Sequence, residues 1–174
     1  MNIVFAHGKE SGPWGTKIRY LAGIAREHGC AVHSPDYRGT MDPTERVRLF
    51  MAHNVVAAPL LLVGSSMGGY VSTVVAEFVH PAGLFLMAPA LYMPGYDQRS
   101  YPQLACPVAI VHGWRDEVVP VEQSLRYARE HSADLHIIDS DHGLNDALDK
   151  VGDLFRDFLV RILGGGKDAR VAAV

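Results

Sequence analysis

Apolar residues in this chain fall in short unbroken runs: 2–6 (NIVFA), 31–34 (AVHS), 60–64 (LLLVG), 84–88 (LFLMA), 108–112 (VAIVH) and 135–139 (LHIID). A strand with one wet face alternates apolar and polar residues, so runs without alternation predict strands buried on both faces, as in a parallel sheet. Between the runs the spacing changes to threes and fours. Val71, Val74, Val75, Phe78 and Val79 form one predicted helical stripe, and Val151, Leu154, Phe155, Phe158, Leu159 and Ile162 another. Asp42, Pro43 and Glu45 supply a helix start: a capping side chain, a first-turn proline and an acid in the first turn.

Strand and helix alternate along the whole chain, which predicts a three-layer α/β/α sandwich around a six-stranded, mainly parallel sheet with right-handed crossovers. Residues 1–163 read as a single domain. The segment GGGKDARVAAV, 164–174, reads as a helix stop followed by a flexible tail. Ligands of such sheets bind beyond the carboxyl ends of the strands, so the residues just after each run are the candidates for chemistry.

Composition narrows the function classes. The 174 residues suit one domain with a sizeable core. An apolar content of 48% and a mean hydropathy of +0.06 fit a soluble globular protein. A net charge of −3 and a pI near 6.3 give no electrostatic case for nucleic acid or an anionic membrane. No run is long enough to span a bilayer, and MNIVFAHGKE lacks the basic and apolar regions of a secretory signal. Cys30 and Cys106 have no CxxC spacing and read as thiols in a reducing compartment, so a cytoplasmic location is expected. No histidine or acid cluster has ligand spacing, so neither a metal nor another cofactor is expected. Nothing in the pattern fixes an oligomeric state.

The third run ends in Gly64-Ser65-Ser66-Met67-Gly68, a G-x-S-x-G pattern set between a strand and a helix. A serine at so sharp a turn sits in a strained conformation, and small neighbours give it room. Met67 opens the helix, where an outward N–H favours negative charge. The rival reading is an anion cradle, but the segment has neither the Lys-Ser/Thr of a P-loop nor G-x-G-x-x-G. A serine nucleophile needs a base and a group that orients the base. His142 lies just beyond the last run, whereas His7 and His112, at strand ends, read as histidines bonded to neighbouring backbone. For the acid, Asp116 follows the fifth run with Glu117 beside it, and Asp139 and Asp141 are rivals close to His142.

With FAHGKESGPWG, SPDYRG, VGSSMGGY, LMAPAL, HGWRDEVVP and DHGL in that order, residues 2 to 163 resemble the α/β-hydrolase superfamily. Within it the chain is similar to small bacterial esterases that lack the first strands. The resemblance implies a triad of Ser66, Asp116 and His142. It also implies an oxyanion hole made by the backbone N–H groups of Lys9 and Met67.

The reaction so implied is cleavage of a small carboxylic ester or thioester through an acyl-enzyme, with an ester-like small molecule as partner. Activity should then fall as acid protonates His142. A small peptidase or amidase with the same triad, or an idle hydrolase fold used for binding, are the alternatives. The interval 89–107 is too short for a helical lid, which suits an open, shallow site. Trp14, Tyr92 and Tyr96 are the candidates for its wall.

Overall fold

The computed structural model describes residues 1–52, 59–97 and 100–168. Strands β1 (Asn2–Ala6), β2 (Ala31–His33), β3 (Leu60–Ser65), β4 (Gly83–Met87), β5 (Val108–Gly113) and β6 (Asp134–Ile138) form one sheet, in the order β2-β1-β3-β4-β5-β6. Every neighbouring pair is parallel. The helices are α1 (Thr16–Glu27), α2 (Pro43–Ala52), α3 (Met67–Val79), α4 (Val121–His131) and α5 (Leu148–Asp168), with a short 3-10 turn at Asn145–Ala147.

The unbroken runs have a simple cause. On β3, Leu61 and Val63 face a core built with Leu21 and Ile24 of α1 and Phe155 and Leu159 of α5. Leu60 and Leu62 face a second core with Phe50 of α2, Val71 and Val75 of α3 and Tyr127 of α4. With a helical layer on each face, both sets of side chains must be apolar. Apart from Asn2 at the start of β1, only the edge strands β2 and β6 carry exposed or partly exposed residues. The α2 cap forms as its sequence requires: Asp42 Oδ1 accepts from the Glu45 N–H at 2.9 Å.

Two expectations need correction. Phe78 shares the spacing of the α3 stripe but is 58% exposed. The helix is buried from Met67 to Ala76, and nothing among the described residues covers its last turn on that side. Helix α5 does not stop at Gly164 but continues to Asp168, and residues 169–174 lie outside the described residues. Each glycine costs a helix about 1 kcal/mol relative to alanine, yet none is barred from helical geometry, so composition alone does not end the element.

The chain runs outward from β1 to β2 in one direction and from β3 through β6 in the other. The reversal opens a crevice at the carboxyl ends of β1 and β3, the place where such sheets bind ligands.

Candidate active site

Ser66 is the residue at which β3 turns into α3. Its backbone, at φ 54° and ψ −122°, lies in a region that non-glycine residues seldom occupy. The strain is held by four hydrogen bonds. The Ser66 N–H donates to Met87 O at 3.0 Å, and its carbonyl accepts from Gly69, Tyr70 and Ala90. Close packing explains the glycine two places on: a Cβ on Gly68 would lie 1.9 Å from Ala6 O. The helix can therefore start against β1 only if that residue has no side chain.

His142 reaches Ser66 from the loop after β6, with Nε2 3.0 Å from Oγ. Its Nδ1 lies 2.7 Å from Asp116 Oδ2. A carboxylate only accepts, so Nδ1 carries the proton and Nε2 presents its lone pair to the serine hydroxyl. The two loops meet because Gly113, at the end of β5, has no side chain; a Cβ there would lie 2.3 Å from Ser140 O.

The Asp116 side chain is fully buried and every oxygen has a donor. Oδ1 accepts from the N–H groups of Val118 at 2.9 Å and Val119 at 2.8 Å. Oδ2 is shared between His142 and His112, whose Nε2 is 3.0 Å away. Burial pushes this carboxyl up, but the bonds from Val119, His142 and Val118 outweigh it and hold it below its ordinary value. The acid thus stays ionised.

His112 was expected to bond nearby backbone, and its Nε2 does lie 3.0 Å from Val119 O. Its contact with Asp116 is the part that sequence reasoning missed. Nε2 must carry a proton to serve two acceptors, so Nδ1 accepts from Ser124 Oγ at 2.7 Å. Burial lowers its basicity below that of an ordinary imidazole, which favours this neutral form. The rival acids are occupied elsewhere. Glu117 is exposed, Asp139 pairs with Arg115 at 2.7 Å, and Asp141 accepts from the Leu144 N–H.

A further residue beside the site is Lys17, in the first turn of α1. Its ammonium donates to His142 O at 3.4 Å, and burial pushes its pKa down to about 8 against the opposing pull of Asp116 and Asp141. Its position in a helical segment gave no hint of this contact.

On the opposite side of Ser66 lies the turn after β1. A Cβ on Gly8 would fall 3.5 Å from Ser66 Cβ, so the Gly8–Lys9 segment borders the serine. The Lys9 side chain is exposed. Met67 is the first residue of α3, so its N–H has no acceptor within the helix.

The three wall candidates fare differently. Tyr92 is buried away from the triad: its hydroxyl donates to Glu130 in the last turn of α4 at 2.6 Å, and Arg126 lies 3.8 Å over its ring. Helix α4 runs from the Asp116 loop back to the start of β6, so its last turn is at the opposite edge of the sheet. Tyr96 packs edge-on against Tyr70 of α3 at 4.8 Å. Trp14 is 39% exposed and sits 5.6 Å from the Arg26 guanidinium of α1. No group of three or more metal-ligating side chains is assembled among the described residues. No helix among them is long and apolar enough to cross a membrane.

A parallel sheet with a serine at a strained strand-to-helix turn, hydrogen-bonded to a histidine that is in turn bonded to an acid, both from later strand ends, is the arrangement of the alpha/beta hydrolases. The chain belongs to the family described as "Alpha/beta hydrolase domain", whose pattern matches residues 25–152. Among solved structures it is similar to a protein of Xanthomonas campestris pv. campestris assigned to the alpha/beta hydrolase superfamily. The TM-score is 0.83 and the identity 28%, over 92% of this chain and 97% of the other. Est1E from Butyrivibrio proteoclasticus has the same fold, with TM-score 0.75 and 17% identity over 94% and 88% of the two chains. So has mouse alpha/beta hydrolase domain-containing protein 10, at 0.73 and 18% over 94% and 90%. No curated protein sequence matches the chain. The fold and the family support a hydrolase.

Proposed function

We propose that the protein is a serine hydrolase that cleaves a small carboxylic ester or thioester through an acyl-enzyme. The observation that carries the reading is the continuous relay from Ser66 Oγ through His142 to Asp116, with links of 3.0 and 2.7 Å. In this reading His142 Nε2 takes the Ser66 proton as Oγ attacks the carbonyl carbon. Asp116 stays ionised and holds the imidazole in the required tautomer. The N–H groups of Lys9 and Met67 receive the negative charge that develops on the carbonyl oxygen. Losing one such donor typically slows catalysis by about 10²- to 10³-fold. The imidazolium then protonates the departing alcohol or thiol. Water, deprotonated by the same histidine, attacks the acyl carbon and releases the acid.

Small substrates suit the architecture. The described residues between β4 and β5 form no helix over the site, and Ser66 and His142 are both partly exposed. A structure of Est1E with ferulic acid bound is an instance of the same fold holding a small carboxylic acid. The unpaired Cys30 and Cys106 suit the reducing cytoplasm.

The test is labelling with a fluorophosphonate probe, the adduct located by peptide mass spectrometry, beside turnover of p-nitrophenyl acetate and its anilide counterpart. The expected result is an adduct on Ser66, ester turnover lost by at least about 10³-fold in Ser66→Ala, and much slower anilide cleavage. An unlabelled, correctly folded protein without ester turnover overturns the reading. Equal anilide and ester rates would move it to an amidase.

A further inference from the structure

Arg46 reads in the sequence as one charge among several on α2, yet its side chain is fully buried. Its partners are all backbone carbonyls. Nε donates to Thr40 O at 3.0 Å, Nη1 to His7 O at 3.2 Å and Gly8 O at 3.0 Å, and Nη2 to Lys9 O at 3.0 Å. A cation taken out of water is ordinarily matched by a carboxylate. Among the described residues no ion pair includes Arg46.

The target explains the expense. Three successive carbonyls, those of residues 7, 8 and 9, turn toward one guanidinium. A trans peptide is planar, with its N–H antiparallel to its C=O. Fixing the Gly8 carbonyl on Arg46 therefore turns the Lys9 N–H the other way, out of the protein's interior. Successive N–H groups so exposed form a concavity that favours negative charge. The same turn packs on the serine, with the Gly8 Cβ position 3.5 Å from Ser66 Cβ and 3.7 Å from Ser65 O. No protein acceptor takes the Lys9 N–H among the described residues.

His7 braces this turn as well. Its Nε2 accepts from the Tyr37 N–H at 2.9 Å, so Nδ1 holds the proton and donates to Gly8 O at 2.8 Å. The Gly8 carbonyl thus receives donors from both Arg46 and His7. Only a planar fork with several fixed donors can span carbonyls on four residues at once; an ammonium cannot.

We propose that Arg46 is the positioning residue of the oxyanion hole: it clamps the Gly8–Lys9 peptide so that the Lys9 N–H faces the carbonyl oxygen attacked by Ser66. The inference rests on the serine-hydrolase reading. Arg46 touches no substrate. It acts through the peptide it holds, and its positive charge lies behind that peptide, where it strengthens the Lys9 N–H as a donor.

The experiment compares wild type, Arg46→Gln and Arg46→Lys. Fluorophosphonate titration counts the active serines, and p-nitrophenyl acetate turnover is expressed per titrated site. An alkyl boronic acid, which forms a tetrahedral adduct on the serine, reports oxyanion binding. Displacement of a catalytic peptide by about 1 Å can cost on the order of 100-fold. Arg46→Gln is expected to lower kcat per site by about 10- to 100-fold with KM within about twofold, and to weaken the boronate in proportion to kcat/KM. Arg46→Lys keeps the charge but not the fork and should fall between the two; it carries the test if Arg46→Gln does not fold. A merely structural role would lower the number of titratable sites and leave kcat per site unchanged. That result in the folded variants, with wild type active, overturns the proposal. A wild type that neither labels nor turns over ester overturns the serine-hydrolase reading instead.

Discussion

The same dipeptide, His-Gly, directly follows β1 and closes β5, and the two turns support opposite halves of the site. At the β1 end, His7 and Arg46 both donate to backbone carbonyls. At the β5 end, His112 donates to a carboxylate, together with two N–H groups of its own loop. In the proposed mechanism the first turn presents donors to a charge that exists only during reaction, and its carbonyls are held from behind by a permanent cation. The second must keep an anion in place at all times, so it surrounds that anion with donors, and the buried histidine among them is neutral. Identical local sequence therefore serves contrary electrostatic ends, and the difference comes from residues outside the motif.

The comparison breaks most completely at Asp116. In Asp116→Asn the amide oxygen would keep the two donors on Oδ1, the N–H groups of Val118 and Val119, leaving its NH₂ at the Oδ2 position to face His142 and His112. Nδ1 must then accept, the ring proton moves to Nε2, and Ser66 faces a donor instead of a base. Ester turnover is expected to fall by about 10³- to 10⁴-fold with little change in fluorophosphonate-independent measures such as circular dichroism. A loss below tenfold would show that the acid is not what sets the tautomer.

Removing the neutral support should hurt stability more than rate. His112→Ala leaves Ser124 Oγ and Val119 O without their partner in a buried setting. The expected cost is about 2–4 kcal/mol in urea unfolding, from unpaired polar groups and a cavity together. Asp116 retains His142, Val118 and Val119, so kcat per titrated site should fall by only about tenfold. Arg46 variants are expected to show the opposite balance, and that inversion is the sharpest form of the comparison.

These supports were the illegible part of the sequence. The strands announced themselves because both sheet faces are covered, and Ser66 and His142 stood out as candidates because each follows a strand or its turn, whereas the acid was left among rivals. Arg46 had only a weak signal: it stands four residues before the buried Phe50 and so shares the inward face of α2. A charge there reads as solvated until β1 is known to lie beneath it, and that packing joins segments 37 to 39 residues apart. Tyr92 failed for the converse reason. Its place after β4 suggested the carboxyl edge, but side-chain direction in a loop is set by packing, here by Glu130 and Arg126.

Acid gives both turns a common weakness. Burial lowers the basicity of His7 and of His112. Unfolded chains bind a proton to each near pH 6.5, whereas the folded protein resists, so stability should fall as pH drops through and below about 6.5. The slope is at most about 1.4 kcal/mol per pH unit for each histidine and ends once the folded pKa is passed. Asp116 adds loss in the same direction at lower pH: its folded pKa is depressed, so its contribution is present above about 3.9 and disappears as pH falls through the folded value. Urea unfolding at a series of pH values should show a shallower slope in His112→Ala. An unchanged slope would place the proton uptake elsewhere.

The smallest expected effect tests the identity of the acid. Asp139 directly follows β6, only three residues before His142 and nearer in sequence than Asp116, so proximity along the chain favoured it as a rival. Its side chain is 84% exposed and held by Arg115, which also binds Asp146. Exposed pairs of this kind contribute little, because water and salt screen them and two long side chains must be ordered. Asp139→Asn makes the same chemical change as Asp116→Asn, 23 positions along the chain. Ester turnover is expected to stay within about twofold of wild type. If it fell as far as in Asp116→Asn, burial and donor count at the β5 turn could no longer explain which carboxylate serves the histidine. If it does not, the choice between two aspartates rests on the donors that surround them, which no spacing in the sequence records.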